Sequence, residues 1–187
     1  MDNNRKKEVT SICLDVFIER GLTATSTRNL SSALKLQNAG LYYYFENKDE
    51  AVIACAEEAM LRVENALIPG ALHDIGDLDR MMKQLQSKAD EMAPTMRFLV
   101  TVCASSQYKE QMRPALGRLT RRYGHYAQQV AEKLNCRRED VEPYVYLAII
   151  TFANYMIFSE EALMLPQVQI VKDAIRRLAA GEGRCPD

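Results

Sequence analysis

The segment ALKLQNAGLYYYFENKDEAVIA, residues 33–54, decides how the rest of the chain is read. At its centre Leu41-Tyr42-Tyr43-Tyr44-Phe45 sets a leucine and four aromatics in succession, followed by Glu46-Asn47-Lys48-Asp49-Glu50. There are only nine tyrosines in 187 residues, so three in a row require a physical reason. On a short helix Leu41 and Phe45, spaced i, i+4, bury together while Tyr43 and Tyr44 point elsewhere. Three buried tyrosines would each need a hydroxyl partner, so some face a polar surface, and a phosphate backbone is such a surface. Asn47, with Glu50 three residues later, reads as a variant capping box that opens the next helix.

Upstream, Val9, Ile12, Cys13, Val16 and Phe17 make one apolar stripe on a helix from Asn4 to Arg20, with Gly21 as its C′ residue. Thr25-Ser26-Thr27 offers N-caps for a short helix reaching Leu34, with Leu30 and Leu34 inward. Lys35-Leu36 makes a turn with Leu36 tucked in, and Gln37-Asn38 opens a third helix that ends near Tyr44. Two short helices joined by a tight turn and packed on another form a helix-turn-helix, whose second member enters the major groove of DNA. Downstream, a fourth helix runs from Asn47 to Leu67, ~30 Å long, before Pro69-Gly70 stops it.

The order of these residues resembles the DNA-binding domain of TetR/AcrR-type transcriptional regulators over residues 9–55. That pattern has an apolar helix ending in Phe-x-x-x-Gly, a Thr-rich cap, x-Arg-(acid/amide)-Ile/Leu-Ala, then Leu-Tyr-x-x-Phe and a Lys-(acid)-Glu helix start. The matching residues are Phe17-Ile18-Glu19-Arg20-Gly21, Thr25-Ser26-Thr27-Arg28-Asn29-Leu30-Ser31, Leu41-Tyr42-Tyr43-Tyr44-Phe45 and Asn47-Lys48-Asp49-Glu50. The resemblance implies a repressor that a small molecule releases from a palindromic double-stranded DNA operator. Arg28, Asn38 and Tyr42 are its candidates for base edges, with Ala39 in the same recognition segment. Ser26, Thr27, Gln37, Tyr43, Tyr44 and Lys48 are its candidates for phosphate contacts. The chain departs from the pattern at Leu34-Lys35, where the family has Ala-Gly, and at Gln37, where it has a Ser or Thr cap. Glycine relieves strain at positive φ, so Lys35 points to a differently shaped turn. Gly40 stands where the family often has Thr or Ser, which removes a phosphate contact.

Charge does not by itself favour nucleic acid. The net charge is −1, and residues 1–50 hold seven basic and seven acidic groups. Binding then depends on where the cations sit. Arg5-Lys6-Lys7, Arg28 and Lys48 can share a face, or Arg5-Lys6-Lys7 is a solvated tail. Lys48 lies at a helix start, whose amides also favour phosphate.

Composition supports an all-α fold, with 48% hydrophobic residues, sparse Gly and Pro, and apolar residues at helical spacing. The expected architecture is a DNA-binding domain over residues 1–47 and a larger helical effector-binding and dimerisation domain over 48–187, with about nine helices in all. The later helices are expected over Asp77–Met92, Pro94–Ser105, Pro114–Leu134, Glu139–Leu163 and Pro166–Ala180, using proline as a helix opener. In the first of the last two, Leu147, Ile150, Ala153, Asn154, Ile157 and Phe158 spread apolar groups round more than one face. The other has a stripe of Val168, Val171, Ile175 and Leu178. The resemblance implies a homodimer formed by these two helices; the alternative is an ordinary core hairpin. It also implies an effector pocket between the middle helices, taking an apolar or amphipathic small molecule. Candidate lining residues are Met81, Met82, Met92, Met96, Cys103, Tyr108, Tyr123, Tyr126, Phe152, Tyr155 and Met156, though a Met/Tyr set at helical spacing is more often plain core. Arg118, Arg121, Arg122 and His125 either balance an acidic ligand or make a solvated face.

Other classes find less support. The five cysteines are scattered without a CxxC or Cys/His cluster, and the histidines are His73 and His125. No metal site or cofactor is expected, and a reducing cytoplasm fits. A thiol-redox regulator acting through Cys103, or a helical binding protein without DNA function, are the alternatives. No nucleophile–base constellation appears, so an enzyme is not expected. The polar N-terminus is unlike a signal peptide, and the apolar run Tyr144–Phe158 falls short of the ~20 residues that span a bilayer.

Overall fold

A computed structural model describes residues 3–36, 38–73 and 77–182. Among them are seven α-helices, one short 3-10 helix and no strand. The elements are α1 (Asn3–Arg20), α2 (Thr27–Ala33), the 3-10 helix (Asn38–Tyr43), α3 (Lys48–His73), α4 (Leu78–Ala104), α5 (Lys109–Leu134), α6 (Arg138–Phe158) and α7 (Glu161–Ala179). The chain divides into two compact units. The first holds Met1–Val63 and Pro94–Pro114, and the second holds Glu64–Ala93 and the chain from Ala115 onward.

In the first unit the α1 stripe is buried at Val9, Cys13, Val16 and Phe17, together with Leu14. α1 packs on α2, and α2 on the 3-10 helix. Leu30, Leu34, Leu41 and Phe45 are buried, so the i, i+4 pair within the tyrosine run does what its spacing demands. α3 adds the buried side chains of Ala51, Val52, Cys55, Ala56 and Ala59 to this unit, and the Cys55 thiol reaches the Thr10 carbonyl of α1 at 3.5 Å. Phe98 stacks on Phe17 with ring centroids 5.6 Å apart. Burying each such side chain contributes about 1.5–3 kcal/mol.

In the second unit, Met81, Met82, Leu85 and Ala89 of α4 are buried, as are Ala127, Val130 and Ala131 of α5. α6 and α7 pack on each other. They bury Val141, Phe152, Tyr155 and Met156 from α6, and Met164, Val171, Ala174, Ile175 and Leu178 from α7.

Seven α-helices replace the nine expected, for identifiable reasons. The short segment after the turn is a 3-10 helix, with the Tyr44 N–H reaching back to the Leu41 carbonyl at 3.0 Å. The two helices expected on either side of Pro94 are one, because α4 runs through that residue, and α5 likewise begins ahead of Pro114. Interior proline removes one N–H and costs ~3 kcal/mol. The buried side chains of Ala89, Ala93, Thr95 and Phe98 on the turns around Pro94 offset that cost. Pro69-Gly70 does not stop α3, which reaches His73. α6 ends at Phe158 rather than Leu163: Ser159 turns left-handed at φ 58°, its N–H bonding the Tyr155 carbonyl at 2.8 Å. By length and composition alone, α6 as a whole is long and apolar enough to cross a membrane, a test that the core helix of a soluble protein also passes. Only 28% of its apolar window is buried within the chain.

Candidate nucleic-acid interface

Three adjacent residues lead into α2 in different ways. Thr25 is buried, and its Oγ1 donates to the Gly21 carbonyl at 2.7 Å, closing the loop after α1. Ser26 is the N-cap: its Oγ accepts from the Asn29 N–H at 3.2 Å. Asn29 Oδ1 in turn accepts from the Ser26 N–H at 2.9 Å and its hydroxyl at 2.6 Å. Such a cap contributes about 1 kcal/mol to the helix. Thr27 is half-buried and Arg28 exposed.

The end of α2 is a complete Schellman motif. The Lys35 N–H bonds the Ser32 carbonyl at 3.0 Å, and the Leu36 N–H bonds the Ser31 carbonyl at 2.9 Å. Lys35 is the C′ residue at φ 55°, so the turn takes the left-handed form without the glycine that form favours. A non-glycine residue there costs about 1–2 kcal/mol. A cation at a helix C-terminus returns only about 0.3–1 kcal/mol. Lys35 is exposed, as are Arg28 and Ser32. Leu36 folds forward: a Cβ placed on Gly40 would lie 2.9 Å from the Leu36 Cβ. Gly40 therefore has a steric cause. Ser31, in the position of the family's alanine, is buried, and its Oγ has no hydrogen-bond partner.

On the 3-10 helix, Tyr42 and Tyr43 are 55% and 68% exposed. Tyr44 is half-buried, its ring edge-on to Tyr43 at 5.1 Å. Gln37, and the side chains of Asn38 and Ala39, lie outside the described residues. At the start of α3, Asn47 Oδ1 accepts from the Glu50 N–H at 2.9 Å. Glu50 reaches back one residue further than a capping box requires, its Oε2 accepting from the Glu46 N–H at 2.6 Å. That amide, and after it the Lys6 ammonium 3.1 Å from Oε1, holds the Glu50 carboxyl below its usual range. Lys48 is half-buried and donates to the Leu22 carbonyl at 3.2 Å.

Arg5-Lys6-Lys7 is not a tail, since α1 begins at Asn3. Arg5 pairs with Glu8 at 2.6 Å, Lys6 with Glu50 while lying 5.3 Å over the Phe45 ring, and Lys7 is exposed.

Residues 14–55, from the middle of α1 into α3, match the model of the family described as bacterial regulatory proteins, tetR family. This segment is a tetR-family domain. Solved structures share the fold across the chain. The TetR family transcriptional regulator PfmR from Thermus thermophilus is 18% identical, with 92% of this chain and 97% of that one covered and a TM-score of 0.56. A tetR-family transcriptional regulator from Streptomyces coelicolor is 17% identical over 97% of this chain and 84% of its own, with a TM-score of 0.61. The fatty acid degradation regulator FadR from Bacillus halodurans is 16% identical over 96% of each chain, with a TM-score of 0.60. At these identities the likeness is one of fold. No curated protein matches the chain significantly.

Beyond the tetR-family segment, the expected ligand-lining residues fall in both units. In the first, Met96 and Cys103 are half-buried and Tyr108 is buried. The Tyr108 hydroxyl donates to Asp49 Oδ1 at 2.8 Å, where Gln107 Nε2 also arrives at 3.0 Å. Burial first, then Asp49, pushes that hydroxyl up to about 12. In the second unit, Met81, Met82, Phe152, Tyr155 and Met156 are buried, and Met92, Tyr123 and Tyr126 half-buried. The Tyr155 hydroxyl donates to Asp90 Oδ1 at 2.6 Å. A surface depression at the start of α4, lined by Asp77, Asp79, Arg80, Lys83, Gln84 and Ser87, contains none of them.

Sequence reasoning missed Glu64. Its side chain is 3% exposed, with Arg122 Nε 2.7 Å from Oε1 and the Tyr126 hydroxyl donating to the same oxygen. Arg122 is thus paired inside the unit rather than spare for an acidic ligand. Tyr123 stands edge-on to Tyr146 at 6.2 Å, and burial, then Glu64, pushes its hydroxyl up to about 12. The available signal was a glutamate next to Val63 in the apolar stripe of α3, with an Arg–Tyr pair at i, i+4 on α5.

Proposed function

We propose that this chain is a DNA-binding transcriptional regulator, a repressor released from a palindromic operator by a small apolar or amphipathic molecule. The observation that carries it is the tetR-family segment folded as helix, turn and helix, with Arg28, Tyr42 and Tyr43 left exposed. Arg28, Asn38, Ala39 and Tyr42 meet the bases. Ser26, Thr27, Gln37, Tyr43, Tyr44 and Lys48 hold phosphates. Lys48 keeps two of its three ammonium protons for that purpose. Ser26 would have to release Asn29 to donate, so its part is the smallest.

The protein works as a homodimer through α6 and α7. Ile150, Phe158, Leu163, Leu165 and Ile170 are each more than half exposed there, an apolar surface that a second copy would cover. Residues 1–47 are the DNA-binding part and 48–187 the effector-binding and dimerising part, and the protein acts in the cytoplasm. The Met/Tyr set of the second unit is where the effector is held. A thiol-redox mechanism gains nothing from the structure: burial raises the Cys13 thiol to about 12 and raises those of Cys55 and Cys103 as well, which favours their protonated form.

Selection of bound sequences from a random duplex pool tests the proposal. The expected result is a palindrome whose half-sites lie about one helical turn, ~34 Å, apart. A pool that remains unenriched overturns it.

A further inference from the structure

We propose that Lys35 is a phosphate contact, an exposed cation in the turn at the C-terminal end of α2 that grips the DNA backbone. The inference rests on the DNA-binding function proposed above. Several basic groups of the first unit are committed to partners within it. Arg5 pairs with Glu8, Lys6 with Glu50, and Lys48 with the Leu22 carbonyl. Arg62 is shared among Asp15, Glu58 and Ser11. Arg28 and Lys35 are exposed, as Lys7 and Arg20 of α1 also are. Arg28 lies in the first turn of α2, and Lys35 stands just past its C-terminus at the C′ position, seven residues later.

The first helix of a helix-turn-helix crosses the DNA backbone, so an exposed cation in the turn at its end is within reach of phosphates. Lys35 also occupies its position against the preference of the fold. At φ 55° glycine is the undemanding residue, and the benefit of a cation at the helix end is smaller than the left-handed penalty. A residue that breaks a local rule without a compensating gain in the fold points to function.

Lys35→Gly and Lys35→Arg in the full chain test this, using the duplex selected by the parent and titrating binding between about 50 and 200 mM salt. One phosphate contact per protomer contributes about 0.9 to the salt slope, so losing both flattens it by about 1.8. Over that fourfold rise in salt, parental affinity should fall about 12-fold more than that of the glycine variant. Base preference should stay the same, the arginine variant should keep the parental slope, and the glycine variant should melt no lower than the parent. A parental slope in the glycine variant overturns the role of Lys35 while leaving DNA binding intact, and a lower melting temperature alongside it assigns the lysine to the helix end. Altered base preference overturns the phosphate assignment. A parent that binds no duplex overturns the regulator function itself.

Discussion

Ile150→Arg separates the folding of one chain from the pairing of two. Ile150 lies on α6 and is 60% exposed, so the substituted side chain meets solvent in a single chain. Arginine is also a good helix former, so the fold should change by no more than about 0.5 kcal/mol. In the proposed α6–α7 dimer the same position is covered. Burying a whole isoleucine side chain contributes about 1.5–3 kcal/mol. Covering the exposed 60% therefore supplies about 1–2 kcal/mol per protomer, counted twice in a symmetric pair. Truncation to alanine should weaken the dimer about 30-fold or more, at 1.4 kcal/mol per tenfold. Arginine adds the burial of an unpaired charge, several kcal/mol more, and should leave the protein monomeric. Sedimentation equilibrium across a dilution series, with circular dichroism on the same samples, reads both effects. Operator affinity should drop too, because two half-sites are no longer held together. An intact dimer in both Ile150→Arg and Phe158→Arg would refute the assignment, and loss of helicity would show that Ile150 does not face solvent.

Three further outcomes follow from the geometry. Ser31→Ala replaces a buried, unpartnered hydroxyl with a better helix former and should stabilise the protein by about 1 kcal/mol in urea unfolding; a loss of that size would mean the hydroxyl is satisfied. Arg122→Ala leaves the buried Glu64 carboxylate with Tyr126 alone and should cost about 1–3 kcal/mol, discounted because Arg122 is half-exposed, whereas Glu64→Gln should cost less. Equal losses would deny the charge a role. Glu50 has a folded-state pKa below its ordinary 4.5, so its stabilisation is present above that pH and lost as pH falls through the lowered value. Glu50→Gln should therefore melt below the parent near neutrality and converge with it in acid, and a constant gap would refute the linkage.

Local features were the legible ones. The i, i+4 burial of Leu41 and Phe45, the Asn47 cap and the α1 stripe each depend on residues within two turns of one another, and all three are present. Helix count failed where a local stop signal competes with tertiary burial. Pro94 and Pro114 read as helix openers, yet the apolar residues around each keep one helix continuous. α7 shows the same competition from the other side. Its stripe of Val171, Ile175 and Leu178 is buried within the chain, while Leu163 and Ile170, which lie off that stripe, are exposed. Periodicity finds an apolar face but cannot say which chain covers it. The sequence held a signal for Glu64 and for Arg122 singly, but not for their pairing, which joins positions far apart along the chain.

The departures from the family pattern around the turn form one physical arrangement. The Schellman bonds at the end of α2 require a left-handed C′ residue, and Lys35 accepts that conformation at a cost glycine would avoid. The same bonds fix Leu36 as the next residue, and its side chain folds forward to within 2.9 Å of where a Cβ on residue 40 would stand. Position 40 must then be glycine, which excludes the serine or threonine hydroxyl that the resemblance offers for a phosphate. The hydroxyl that the resemblance implies is thus excluded at the second helix by the packing that shapes the turn. The exposed cation lies in that turn. A lysine in place of glycine and a glycine in place of a hydroxyl residue, unrelated when read singly, together fit the proposal that a phosphate contact moves from the start of the second helix back to the end of the first.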